Sequence, residues 1–400
     1  MKHAVTADIA IIGGGIAGLW LLNRLRSLNF SVVLLESGTL GGGQTHKAQG
    51  IIHGGMKYAL HGNDKAASES IASMPEMWKA CLSGTGPLNL SNIPVLSSKQ
   101  YLWSTGSLSS KIAGYFASMA LKGNVTSLKY SEFPTVFQNP QFKGQVYSLE
   151  EMVIDVNALV RELVKTHQDV IFKIDPLAEP QIKINSKGEI EDFEIHAYPF
   201  HPVKLNAKHY IFTAGKGNEL LLNKLPDKKI KMQKRPLHMV IVKHHHPHCL
   251  YAHCLGLGVT PRVTITTHKT RDGRVAWYIG GQIAEEGVNK TKEEQIQCAK
   301  KELSELFPWL DFSTSTFSTF MIDRAEALQE NGKRPDNCHF ETLENATIAW
   351  PTKLAFAPLL ADRITTELSK TKIQSGKADL REIRAWPMPS FALPVWDEND

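Results

Sequence analysis

Three glycines and one carboxylate near the amino end have the spacing to do chemistry. Gly13, Gly15 and Gly18, in "GGGIAG", match G-x-G-x-x-G, and Glu36 lies about 20 residues further on. Each position has a physical task. Gly13 permits a tight turn, Gly15 lets a pyrophosphate approach the backbone, and Gly18 lets helix pack on strand. Ile16 and Ala17 open a helix whose unpaired amides would face that phosphate. Glu36 can accept hydrogen bonds from a ribose diol and would repel a 2′-phosphate. The chemistry is therefore dinucleotide binding, with NADP disfavoured.

The elements that must hold these residues are legible around them. "ADIAIIG" is a short β-branched run that suits a buried parallel strand. "IAGLWLLNRLRSL" repeats apolar residues at helical spacing, and "FSVVLLE" is a second strand ending in Glu36. Together they form a complete β-α-β unit.

The segment after this unit is unusual. "GGGQTHKAQGIIHGG", residues 41–55, offers almost nothing for a core. In NAD enzymes the second strand leads into another crossover helix. A glycine-rich loop suits backbone lying along a longer cofactor, and FAD is such a cofactor. Two later segments agree. In "HYIFTAGKGN", residues 209–218, a hydrophobic strand ends in Thr213-Ala214-Gly215, a second glycine turn. In "IAWPTKLAFAPLLADRITTEL", residues 348–368, a short strand runs into a helix whose first turn tolerates Pro358. Amides near Thr352, Lys353 and Leu354 would point out of its amino terminus, where negative charge is stabilised. A reduced flavin develops such charge.

With these motifs the chain resembles the D-amino-acid oxidase / glycerol-3-phosphate dehydrogenase superfamily of FAD oxidoreductases. The resemblance runs nearly end to end: "IIGGGIAGL", Glu36, "THKAQGIIHGGMKY", "IDVNALVRELV", "IFTAGKGN" and "PTKLAFAPLLAD". "IIHGGMKY" is most similar to the glycerol-3-phosphate and 2-hydroxyglutarate branches. The resemblance implies an α/β fold, α+β overall. A Rossmann-like FAD-binding domain would be assembled from residues 1–80, 145–220 and 320–400. A substrate domain on a mixed or antiparallel sheet would take 81–144 and 221–319. "LHMVIVK", "RVTITTH" and "VAWYIGGQI" read as its strands, and "KEEQIQCAKKELSELFPWL" as an amphipathic helix.

It also implies an enzyme that takes a hydride from a carbon bearing a hydroxyl or amino group. The flavin would pass the electrons to oxygen, a quinone or another protein. An amine or imino-acid oxidase and a non-catalytic flavin-binding regulator are the alternatives. Gln44, Thr45, His46, Gln49, Gly50, Ile51, Ala214, Gly215, Thr352, Lys353 and Leu354 join the first glycines and Glu36 as cofactor contacts. Three residues carry the catalytic expectation. His53 could be satisfied by loop backbone, could take a substrate proton beside the flavin, or could bind it covalently. Lys353 would face the pyrimidine edge. Arg324, in "FMIDRAEAL", suits a substrate carboxylate because a guanidinium can hold it with two parallel bonds. Pairing with Asp323, with Glu326 or with another acid of the fold is the plainer alternative, and Arg334 is the rival candidate. Lys57 and Tyr58 could face the flavin or merely start the next helix. Tyr278, beside Gly280-Gly281, marks either close approach to the cofactor or a sheet bulge.

The remaining features are exclusions. The 400 residues are 42% hydrophobic and 21% charged, with a formal net charge of +5. Positive charges are scattered apart from a run at Lys228–Arg235, which reads as a solvated face, so no nucleic-acid partner is expected. Five cysteines without regular spacing do not make a disulfide framework and fit a reducing compartment. No apolar run is long enough to span a membrane, so the expectation is cytoplasmic. "HHHPHCLYAHC", residues 244–254, lacks the paired geometry of a structural zinc site, and no metal is expected.

Overall fold

The computed structural model describes residues 4–54, 71–105, 125–256, 260–371 and 373–398. The apolar run that opens the chain becomes the Ala4–Ile12 strand, whose last six residues are all buried. A central parallel strand covered on both faces demands this. Ile9 and Ile11 face one core, Ala10 and Ile12 another. The strand pairs in parallel with Val203–Phe212 on one side and Val32–Glu36 on the other. Ala346–Trp350 and Ile171–Lys173 extend the parallel set outward. Antiparallel strands at Gln181–Ile184, Ile190–Ile195 and His339–Leu343 complete an eight-stranded sheet.

Helices Ile16–Ser27, Val156–Lys165 and Ala357–Ser369 pack into the first core. Asp155 starts the second of them by accepting from the amides of Asn157 and Ala158, at 2.8 and 3.0 Å. Such a cap contributes about 1 kcal/mol. Helix Met74–Leu82 brings Trp78 edge-on to Trp20, with ring centroids 5.0 Å apart. The Trp78 indole donates to the Ala355 carbonyl at 2.9 Å, tying the carboxy-terminal turn to helix Met74–Leu82.

The second sheet also has eight strands, ordered Thr316–Ala327, Met232–His244, Val275–Gly280, Val263–Lys269, Ala252–Cys254, Gln100–Ser104, Gln145–Leu149, Val125–Ser127. Its pairings are antiparallel except where Ala252–Cys254 meets Gln100–Ser104. It is therefore mixed, one of the two forms that the family resemblance implies. Helix Lys292–Leu306 starts in a capping box of Thr291 and Glu294, ends before Pro308, and packs on this sheet through Ala299, Leu303 and Leu306. Gln145–Leu149 and all of Thr316–Ala327 belong to the second sheet, because each completes a ladder there rather than beside Ala4–Ile12.

A third, small sheet joins Ile51–Ile52, Met152–Ile154 and Val95–Ser97. It holds the end of the glycine-rich loop. All five cysteines are free thiols, and among the described residues no helix is long and apolar enough to cross a membrane.

Candidate cofactor and substrate site

The glycine turn works by exclusion of side chains. Gly13 has φ +117°, and a β-carbon there would come within 2.6 Å of the Thr213 carbonyl oxygen. One on Gly18 would come within 2.0 Å of the Gly13 carbonyl oxygen. The Thr213 hydroxyl donates to the carbonyls of Gly13 and Ile12, at 3.0 and 3.2 Å. Two strand ends and a helix start thus meet with no room to spare. Gly15 differs: a β-carbon there would touch only the Thr45 hydroxyl, at 3.3 Å, and otherwise points into open space. Glu36 accepts from the Gly14 amide at 2.6 Å and from the Gly38 amide, so its carboxylate stands at the same turn.

The loop after Glu36 is a joint between the two sheets. Thr45 accepts from the Ile16 amide at 2.9 Å, a bond that the cap residue Gly15 cannot supply to its own helix. Gln44 accepts from the Ala325 amide at 3.1 Å. Gln49 donates to the carbonyls of Thr264 and Tyr278, at 3.1 and 2.9 Å. The Tyr278 hydroxyl donates back to the Lys47 carbonyl at 2.8 Å. Gly50, at φ +74°, lets the loop close onto the Ile154 carbonyl, 2.3 Å from where its β-carbon would sit. Segment 41–54 is polar because its partners are backbone groups of distant strands.

A cavity of about 680 Å³ lies between the glycine turn, this loop and the second sheet. Gly13, Gly15, Ile16 and Ala17 form one end, with Glu36 beside them. Gln44, Thr45, Gln49, Gly50, Ile51 and His53 form the loop wall. Ala214 and Gly215 contribute from the second glycine turn, and Thr352, Lys353 and Leu354 from the carboxy-terminal one. Arg324 lines it from the second sheet.

Two expected cofactor contacts do not reach the cavity. Gly18 serves the packing of helix on strand, the task its place in the glycine motif gives it. His46 is buried against Gly41 on the far side of the loop, because the Thr45 side chain is held on Ile16 and its neighbour points away. Burial, reinforced by the Arg161 charge, lowers the His46 pKa to about 4, so the ring is neutral. Tyr278 is fully buried and bound to Lys47, away from the cavity. Gly281, at φ +95°, opens the short helix Gln282–Glu286 rather than approaching a ligand. Lys57 and Tyr58 lie outside the described residues.

The carboxy-terminal turn is strained at the cavity wall. Thr352 has φ +57°, which a β-branched residue rarely adopts, at a cost of order 1–3 kcal/mol. The Lys353 amide donates to the Pro351 carbonyl at 2.6 Å across it. The Lys353 ammonium sits 4.9 Å from the Phe356 ring centroid. One 3-10 turn, Leu354–Phe356, precedes the helix, and Pro358 falls in the helix's first turn.

Cations gather at the opposite wall. Arg235 engages the buried Glu326 carboxylate through Nε and one terminal nitrogen, the latter at 3.2 Å. Arg324 is thereby left with the Arg235 carbonyl at 3.3 Å and, at 4.0 Å, with Glu285, another acid of the fold in place of Asp323 or Glu326. Burial, with the charges of Arg235 and Arg334, lowers its pKa to about 10, so it stays protonated at neutral pH. Arg334 is exposed and also lines the cavity.

His53 has a partner that local sequence did not reveal. Its Nδ1 lies 3.3 Å from Glu151 Oε2, 98 residues away, and its ring stacks near His253 with centroids 6.1 Å apart. His244 and His246 stack on each other and meet Trp277 edge-on, and burial lowers their pKa values to about 3 and about 4. Among the described residues the only metal-capable group is His53, Glu151 and His253.

The glycine cradle, Glu36 and the cavity's reach to the second sheet fit FAD. The fold and site define a flavin-dependent oxidoreductase. A family model described as FAD dependent oxidoreductase matches residues 8–335, and the chain belongs to that family. It is 43% identical over 402 residues, 99% of each chain, to "Probable FAD-dependent oxidoreductase PA4991" of Pseudomonas aeruginosa. The crystal structure of that protein superposes with a TM-score of 0.84, at 39% identity and 99% coverage of both chains. Iminodiacetate oxidase from Chelativorans sp. BNC1 shares the fold at 15% identity, TM-score 0.65, over 96% of this chain and 99% of that one. L-α-glycerophosphate oxidase from Mycoplasma pneumoniae, a structure with FAD bound, does so at 15% identity, TM-score 0.63, over 93% and 96%.

Proposed function

We propose that this FAD enzyme oxidises a C–OH or C–N bond of a small anionic substrate, the flavin supplying a hydride acceptor at N5. The observation that carries the reading is Arg324. A protonated guanidinium faces the cavity, and among the described residues its nearest carboxylate, Glu285, is no closer than 4.0 Å. A substrate carboxylate or phosphate would fill that role with two parallel bonds. His53, on the loop wall, would take the hydroxyl or amino proton. Lys353 and the turn around it would offset negative charge at the pyrimidine edge. The first sheet with its helices would form the cofactor domain and the second sheet the substrate domain. Two proteins that share the fold act, by name, on an α-glycerophosphate and on an imino acid, which spans the same two bond types. The electron acceptor would be oxygen, a quinone or another protein.

The test is anaerobic bleaching of the holoenzyme's flavin by a panel of hydroxy acids, polyol phosphates, amino acids and imino acids. An anionic member should bleach it rapidly. Bleaching only by neutral amines or polyols sinks the anionic reading, and bleaching by none leaves a flavin-binding regulator.

A further inference from the structure

We propose that Glu151 is a positioning residue for His53, fixing the imidazole proton on Nδ1 and leaving Nε2 as the ring's proton acceptor. The inference rests on the reading of His53 as the base. The small third sheet supplies the geometry. Ile51 pairs with Val153 and Ile52 with Met152, so the next opposed pair in that antiparallel ladder is His53 and Glu151. Nδ1 and Oε2 meet at 3.3 Å. The other carboxylate oxygen, Oε1, accepts from the Gly54 amide at 2.7 Å. One side chain therefore fixes both the backbone after His53 and the ring itself.

Burial gives this contact its weight. Glu151 is 4% exposed, and a buried carboxylate must find donors or a positive charge. Among the described residues no lysine or arginine lies within ion-pair distance of it, and His53 is its titratable partner. Glu151, just before the Met152–Ile154 strand, and His253, from the second sheet, both face His53. The His253 Nδ1 is engaged by the Thr264 hydroxyl at 2.8 Å. Lys353 lines the same cavity. A neutral ring with its proton on Nδ1 donates to Glu151, and the substrate's hydroxyl or amino proton then passes to Nε2. The Nδ1 proton stays on the ring, and the imidazolium that forms is held against the carboxylate. The same three side chains have ligand atoms within 4.8 Å of one another, so a cation is the rival occupant.

The experiment uses ¹⁵N-histidine-labelled FAD holoenzyme prepared without a histidine tag. The His53 signal is assigned by its loss in His53→Gln. In the wild-type protein the neutral ring should carry its proton on Nδ1. Glu151→Gln keeps an acceptor for the Gly54 amide and removes the charge, and it should lower the His53 pKa by about one unit or more. The wild-type tautomer is read whether or not the variant folds. Bleaching of His53→Gln at the wild-type rate would remove the base role from His53, and the proposal with it, even if the carboxylate–imidazole contact were seen. A proton on Nε2, a titration unchanged in Glu151→Gln, or one equivalent of bound metal would overturn the pairing while leaving the base reading open.

Discussion

At the scale of single residues, the decisive competition is between two arginines for one carboxylate. Arg235 holds Glu326 through two nitrogens, which uses both carboxylate oxygens. Arg324, opposite Arg235 in the ladder, keeps its charge toward the cavity, and neighbouring positive charge makes that cation more willing to take an anion. Replacing it by lysine exchanges a planar fork for a point charge. Losing one charge-assisted bond costs about 1.5–3 kcal/mol, so Arg324→Lys should raise KM for the bleaching substrate roughly tenfold or more. FAD content should not change, since in the proposed reading Arg324 holds the substrate anion and the glycine turn holds the cofactor. Steady-state kinetics beside flavin absorbance check this. Normal KM in Arg324→Lys with lost binding in Arg334→Lys moves the anion site to the cavity mouth.

At the scale of elements, the glycine positions divide by what a side chain would meet. On Gly13 or Gly18 a β-carbon strikes backbone, at 2.6 and 2.0 Å, so alanine at either should damage the fold. Gly15 has ordinary helix-cap geometry, φ −80°, and only the Thr45 hydroxyl nearby. Gly15→Val should therefore fold yet fail to hold FAD, because its methyl groups enter the cavity. Circular dichroism and reconstitution with FAD separate the outcomes; a folded, yellow Gly15→Val would place the pyrophosphate elsewhere. The β-α-β unit was legible because strand and helix periodicities, glycines and Glu36 are all local. The strand Gln145–Leu149, Glu151 and the true work of the loop were not, because they depend on pairings between residues far apart. Gln44 and Gln49 find partners 281, 215 and 229 residues away, and nothing in "GQTHKAQG" encodes that. Thr45 and His46 show the same limit at closest range. Adjacent polar residues look alike in sequence, and the turn's geometry sends one to the helix start and the other into the core.

At the scale of the whole molecule, the cavity is shared. Gly13, Ile16 and Glu36 line it from the first sheet and its helix, and Leu237, Met239 and Met321 from the second. The hydrogen bonds of the glycine-rich loop cross the same junction. A ligand that touches both walls stabilises the native state by mass action, by about 2.7 kcal/mol at a hundredfold excess over Kd. It also stabilises the junction itself, since the loop cannot leave one sheet without exposing the ligand. Removing FAD should therefore lower the Tm by several degrees, and the loss should not be confined to the β-α-β unit. Hydrogen exchange on apo- and holoenzyme locates it. Faster exchange after FAD removal is expected at the Ile16 amide, bound to Thr45, and at the Ala325 amide, bound to Gln44 across the junction. If only first-sheet amides such as Ile16 respond, FAD is held by one wall, and the second sheet meets the substrate without meeting the cofactor.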